Sequence, residues 1–158
     1  MKGSVKIRRS AERDVPAIKK MIAEWLSWEV PREKSIKRAG RNKELLVAEC
    51  EGEVIGFIHY VMHEDIVDGG LNCFITAFYV APEFRQKGVG SNLLRLAMRD
   101  ALAKGAVGIE TSTANPDARR LYEKHHFRQF MGKWSMGEVF LELNMKQCEP
   151  KLKRALRG

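Results

Sequence analysis

Cysteine is scarce and scattered in this chain. Cys50, Cys73 and Cys148 are odd in number and far apart, which excludes a disulfide framework and a cysteine-based zinc pattern. They read as reduced thiols, with Cys73 packing in a strand. Long hydrophobic runs are also missing. No stretch approaches the roughly 18–20 apolar residues of a membrane span, and the charged start, residues 1–9, lacks the apolar run of a secretory signal. No membrane association is expected, and the cytoplasm is the expected location. Zinc-finger spacing, the aromatic motif of ribonucleoprotein domains and the Gly-Lys-Ser/Thr end of a phosphate loop are all absent. Internal repeats and low-complexity segments are absent too, and no metal site is expected.

What remains is a chain of 158 residues, 44% apolar, enough for one globular domain with a real core. That domain is expected over residues 1–145, followed by a basic tail, 146–158. The formal charge of +8 is uneven. Residues 1–43 carry 13 basic and 5 acidic side chains, 44–145 carry 10 and 14, and 146–158 carry 5 and 1. Basic ends around an acidic middle suit solubility, attraction of an anionic ligand, or contact with nucleic acid or ribosomes. Specific nucleic-acid recognition has no motif to support it. A homodimer stays open.

Apolar periodicity predicts alternating elements. Val5–Arg8 alternates as a short strand. Asp14 then offers a helix N-cap ahead of Pro16, and Val15, Ile18, Ile22, Trp25 and Leu26 share one helical face. Pro31 ends or bends this helix. Residues 32–43 read as a short helix and loop. Leu45–Glu49 and Val54–Met62 are strands joined by a hairpin at Glu51-Gly52, and Asp68-Gly69-Gly70 makes the next turn. Leu71–Val80, almost continuously apolar, fits a central strand covered on both faces. A helix over 91–104 buries Leu93, Leu94, Ala97 and Ala101, with Gly105 as its C-terminal cap. Val107–Thr111 is a strand parallel to Leu71–Val80 by the strand–helix–strand order. Asn115-Pro116 opens another helix, and Phe127–Met131 with Val139–Met145 closes the sheet as a hairpin.

The most informative stretch is VAPEFRQKGVGSNLL, Val80 to Leu94. Here a strand ends, the chain turns at Pro82, and Arg85, Gly88 and Gly90 precede a helix. Such a turn aims backbone N–H groups at one spot with the positive end of the helix dipole behind them, a pocket for phosphate oxygens. Glycines let the backbone approach the anion, and Arg85 adds a forked cation. A loop that merely needs glycines to turn explains the same pattern, so the rest of the chain must decide.

With a second motif, NPDARRLYEKHHF, the chain resembles the GNAT family of N-acetyltransferases. The likeness covers nearly the whole chain, from Ile7 to about Met145. The first motif matches the family's valine, proline, arginine and glycine positions in register, and Asn115, Ala118, Leu121, Tyr122 and Phe127 match the second. The opening IRRSAERDVPAI adds a weaker match. The resemblance implies a mixed α/β fold: a mostly antiparallel sheet of six to seven strands with one parallel, splayed pair, flanked by about four helices.

It also implies acetyl-CoA as co-substrate, lying between the splayed strands. Its pantetheine arm would pair with the backbone of Phe78, Tyr79 and Val80. Its pyrophosphate would rest on the turn Gln86, Lys87, Gly88, Val89, Gly90 and Ser91, with Arg85 nearby. Asn115 matches a residue that contacts the cofactor arm, and Tyr122 one placed near the sulfur. Glu110, five residues before Asn115, stands at a spacing similar to the base of the ribosomal-protein N-terminal acetyltransferase branch. His126 replaces the glycine usual before the phenylalanine, so it is expected to adopt a left-handed conformation or shift the helix end.

An amine must lose a proton before attacking a thioester, and Glu110 is the first choice of base. A strand-end carboxylate paired with a lysine is its structural alternative, and His59, His63 and Glu64 are reserve bases. The departing thiolate needs a proton, which the phenol of Tyr122 can give; packing beside Ala118 and Leu121 is that residue's structural role. A backbone N–H near Phe78 or Tyr79 would meet the oxyanion. No histidine is spaced as a partner for Cys73, so direct transfer is expected. The acceptor, a protein N-terminus, a lysine or a small amine, is undetermined; Glu64, Asp65 and Asp68 would attract a basic one.

Two other classes compete with an amine acetyltransferase. One is a module of this fold that binds CoA or nucleic acid without turnover, with the basic tail as its support. The other is a dinucleotide-binding enzyme, which the loss of the third glycine in G-x-G-x-x-G, replaced by Leu93, disfavours.

Overall fold

The computed structural model describes residues 3–26, 32–66, 69–130, 139–144, 150 and 154–155. The strands are β1 (Val5–Arg9), β2 (Leu45–Cys50), β3 (Glu53–Asp65), β4 (Gly70–Val80), β5 (Gly108–Thr113), β6 (Arg128–Gln129) and β7 (Val139–Asn144). The helices are α1 (Val15–Trp25), α2 (Glu33–Arg41), α3 (Val89–Ala103) and α4 (Pro116–Lys124). The strands form one seven-stranded sheet in the order β1-β2-β3-β4-β5-β7-β6. Only β4 and β5 are described as parallel, so the expected mixed sheet with a single parallel pair and four helices is present. Chain contacts group into two compact units, Met1–Tyr60 with Ala77–Leu94, and Val61–Thr76 with Arg95–Gly158.

In the first unit, β1 and β2 pair antiparallel from Val5–Cys50 to Arg9–Leu46, and β2 turns into β3 at the expected hairpin. Glu51 and Gly52 both have positive φ, 51° and 85°, the turn whose twist matches the strands it joins. Val15, Ile18 and Met21 of α1, with Ile36 and Ala39 of α2, pack against Val47, Phe57 and Tyr79. The buried face of α1 therefore runs through Met21, not through Trp25, which is 47% exposed. The helix stops at Trp25, and Leu26 is already extended. Pro31 and Asp68 lie outside the described residues.

Asp14 does not cap α1 with its side chain. A short 3₁₀ turn, Glu12–Asp14, comes first, and the Asp14 carboxylate turns back to accept from the Ala11 N–H at 2.7 Å and from Arg8 Nη1 and Nη2 at 2.7 and 2.9 Å. Arg8 Nε also donates to Glu49 Oε2 at 2.8 Å. Burial alone would raise the Asp14 carboxyl, but the Arg8 and Ala11 hydrogen bonds outweigh it and hold the group below its ordinary value.

Gly56 of β3 marks a close strand approach. A Cβ there would meet the Tyr79 carbonyl oxygen at 2.8 Å and Val80 Cα at 3.3 Å, so the absence of a side chain lets β3 and the end of β4 lie tight together.

In the second unit, β4 and β5 pair parallel from Asn72–Gly108 to Ile75–Thr111. β5 then pairs antiparallel with β7, and β7 with β6, which confirms the closing hairpin although its connection, 131–138, lies outside the described residues. Ile109, Leu141 and Leu143 are buried on one sheet face, and Ala97, Met98 and Ala101 of α3 are buried too. Gly105 ends that helix with φ 97°, as its sequence position predicts. β4 is less covered than its apolar composition suggests: Thr76 is exposed and Ala77 and Phe78 are half-buried.

Candidate active site

The turn after β4 belongs to the first unit. Pro82–Phe84 form a single 3₁₀ turn and α3 begins at Val89. Between them Gln86 and Gly88 take positive φ, 58° and 82°, the alternation that swings successive N–H groups to one side of a loop. A Cβ on Gly88 would touch nothing within 4 Å, so the glycine serves the left-handed backbone rather than packing. The first helical bond described runs from Asn92 N–H to Gly88 C=O at 3.0 Å. The amides of Val89, Gly90 and Ser91 thus precede the helical ladder, where an anion is favoured.

Two of the expected phosphate ligands have protein partners. Arg85 Nε donates to the Val80 carbonyl at 2.8 Å, and its guanidinium lies 5.5 Å from the Tyr79 ring centre. Lys87 Nζ donates to the Glu83 carbonyl at 2.7 Å. Both therefore brace the turn. Tyr79 turns its side chain into the core, stacked on Phe57 and near Trp25. Its hydroxyl lies 3.4 Å from Glu24, and burial, then Glu24, raises its phenol.

The two catalytic candidates lie in the second unit. Asn115 caps α4, its Oδ1 accepting from the Asp117 N–H at 2.9 Å, with Pro116 in the first helical position. At the other end, His126 adopts φ 70°, the left-handed one of the two outcomes expected of the residue in glycine's place. The Phe127 N–H bonds the Tyr122 carbonyl at 3.1 Å and the His126 N–H bonds that of Glu123 at 3.0 Å, the two bonds of a Schellman cap. The Phe127 ring meets that of Tyr122 at 5.3 Å, so the cap also fixes the tyrosine.

Tyr122 is 3% exposed. Burial pushes its phenol up to about 12, against the opposing effect of its hydrogen bond with Thr111. Thr111 itself donates to the Ile75 carbonyl at 3.2 Å. A hydroxyl has one proton to give, so a neutral phenol donates to Thr111 while Thr111 serves Ile75. An ionised phenol would claim the Thr111 proton at the cost of the Ile75 bond.

Glu110 faces the opposite side of β5 from Thr111, by strand alternation. Asn72 Nδ2 donates to Glu110 Oε1 at 3.1 Å and to Asp65 Oδ2 at 3.2 Å. Of the reserve bases, His59 lies in the first unit, where burial lowers its pKa against the opposing pull of Glu44. His63 and Glu64 follow on β3 in the second unit, beside Asp65. Sequence reading missed Thr111 and Asn72. Each is a polar residue buried within an apolar strand run, and that mismatch was the available signal.

A family model described as the Acetyltransferase (GNAT) family matches residues 10–127. An acetyltransferase of Agrobacterium fabrum is 31% identical over 67 residues, a stretch covering 41% of this chain and 49% of that protein. The chain thus spans about half the length of this curated relative. Among solved structures, a chain of the NatC complex bound to Gag peptide and CoA superposes with a TM-score of 0.77 at 18% identity, covering 89% of this chain and 98% of that one. yncA from Salmonella typhimurium, solved with acetyl-CoA, gives 0.76 at 18% identity, covering 92% and 96%.

Proposed function

Because the chain belongs to the Acetyltransferase (GNAT) family, we propose that it transfers an acetyl group from acetyl-CoA directly to a primary amine. The observation that carries this reading is the turn at residues 85–91, where left-handed Gln86 and Gly88 lead into the start of α3 in a chain of this family. Backbone amides of that turn hold the diphosphate, Arg85 and Lys87 keep the turn in shape, and Phe78, Tyr79 and Val80 offer the β4 backbone to the pantetheine arm. Asn115 contributes at the start of α4.

Glu110 takes the proton that the attacking ammonium must shed. The new N–C bond forms by addition to the thioester carbonyl, whose oxyanion a backbone N–H of β4 near Phe78 or Tyr79 faces, and collapse of that intermediate breaks the C–S bond. Tyr122 donates to the departing sulfur. With its phenol near 12 and a thiol near 8.5, complete proton transfer is uphill by about 3–4 units, about 5 kcal/mol. Tyr122 therefore acts first as a hydrogen-bond donor, turning its one proton from Thr111 to the thiolate as the sulfur departs, and the proton lost by the amine closes the balance.

The test follows thiol release across peptides and small amines, with wild type, Tyr122→Phe and Glu110→Gln. Each substitution is expected to lower kcat by about a hundredfold or more on the best acceptor. Full rate in both variants would remove these two residues from the mechanism. CoA binding with no acceptor turned over would favour a binding module of this fold.

A further inference from the structure

Asn72 of β4 is 4% exposed, and its amide is engaged at one end only. Nδ2 donates to Glu110 Oε1 at 3.1 Å and to Asp65 Oδ2 at 3.2 Å, whereas among the described residues Oδ1 has no hydrogen-bond partner. Turning the amide over would aim its carbonyl at two carboxylates, so the donors must stand where they do. A buried carbonyl left unpaired is destabilising, and its retention in a fold asks for a reason. Gly108 of β5, the parallel partner of Asn72, makes the arrangement sterically possible. A Cβ there would stand 3.0 Å from Oδ1 and 3.5 Å from Cγ of Asn72, so only a bare backbone admits the amide in this position. All four residues lie in the second unit.

Resting on the reading of Glu110 as the base, we propose that Asn72 is the positioning residue of that base, and that Gly108 gives Asn72 the room to hold it. One N–H of the amide fixes the orientation of the Glu110 carboxylate and favours its charged form, the form that accepts a proton. The other N–H goes to Asp65, so a neutral group stands between two like charges and serves both. The other titratable or charged groups on this face come from neighbouring strands. His63 shares the face of Asp65 on β3 by alternation, Glu142 of β7 stands directly across from Glu110, and Arg128 of β6 across from Glu142. These are common to every variant at position 72, so a change there reports the amide. Without it, Glu110 loses an orienting bond and takes up a proton at higher pH. A base already protonated cannot receive the proton of the amine.

The experiment has two readouts on wild type, Asn72→Leu and Gly108→Ala, with circular dichroism checking each fold. The first is an NMR titration of the Glu110 side-chain carboxyl in carbon-13-labelled protein, its signal identified by its loss in Glu110→Gln. The midpoint is expected to move to higher pH by about half a pH unit or more in Asn72→Leu. Gly108→Ala should move it the same way and less far, because its Cβ displaces the amide while its 3.6 Å approach to Glu142 Oε1 is ordinary contact. The second readout is thiol release with the fastest acceptor of the peptide and amine panel. Asn72→Leu is expected to lower kcat by about tenfold or more with KM little changed, and to add little to the loss already caused by Glu110→Gln, since its effect runs through the base. A merely structural role would lower the rate equally with and without Glu110 and leave the midpoint in place; either result overturns the inference while the loss in Glu110→Gln keeps the base. Full rate in Glu110→Gln overturns the reading of Glu110 as the base, and the inference with it.

Discussion

Thr111 joins the Tyr122 phenol to the backbone of β4, hydrogen-bonding the phenol and donating to the Ile75 carbonyl at 3.2 Å. Ile75 and Thr111 are also the last pair in the parallel register of β4 and β5. The proposed proton donor is thereby tied to the place where that pairing ends. Thr111→Val keeps the shape and removes the hydroxyl, leaving a buried phenol without this partner. The expected loss is about 1–3 kcal/mol of stability in urea unfolding, with kcat for acetyl transfer falling more than KM rises.

The buried phenol makes stability depend on alkaline pH. Tyr122 has a folded pKa near 12 against about 10 unfolded, so below pH 10 both states hold the proton and stability is flat. Between 10 and 12 the unfolded chain releases a proton that the folded chain keeps, and stability falls by up to about 2.7 kcal/mol. Denaturant midpoints of wild type and Tyr122→Phe, compared from pH 8 to 11.5, check this: the substituted chain should lose less over the alkaline range.

His126 stands at a left-handed position that closes α4. Glycine adopts that conformation without the clash a Cβ creates, although it has more freedom to lose on folding. His126→Gly is expected to stabilise the protein by about 0.5–1 kcal/mol, read as a rise in the urea midpoint.

The turn between β4 and α3, the α4 cap at Asn115 and the left-handed option at His126 were legible in the sequence because each depends on local backbone rules. Glycine, proline and cap residues announce such geometry within a few positions. The partners of Glu110 and Tyr122 were not legible. Asn72 lies 38 residues from Glu110 and reaches it only because parallel strands align them. Asp14 illustrates the same limit: its position suits a cap, yet Arg8, brought alongside by the fold, claims its carboxylate. The α1 face was misjudged at Trp25 because periodicity identifies a stripe but not where the helix stops.

The Arg8 network carries its own expectation. Asp14 is 3% exposed and Arg8 is its charge partner, so Arg8→Met leaves a buried carboxylate poorly compensated, at a cost of about 3–5 kcal/mol. Because the Asp14 carboxyl is held below its ordinary value, its contribution is present above the unfolded pKa and is lost as pH falls through the folded one. Urea midpoints from pH 7 down to 2 should drop more steeply for wild type than for Arg8→Met.

The most direct test of the account is a calorimetric titration of CoA into wild type and Gly88→Val. A β-branched residue strains the left-handed backbone at position 88, while its Cβ has no neighbour within 4 Å, so the substitution acts on the turn's backbone. The account predicts micromolar binding to wild type, an affinity about tenfold or more weaker in the variant, and unchanged circular dichroism. Equal affinity in the two proteins, or no binding to wild type, would contradict it.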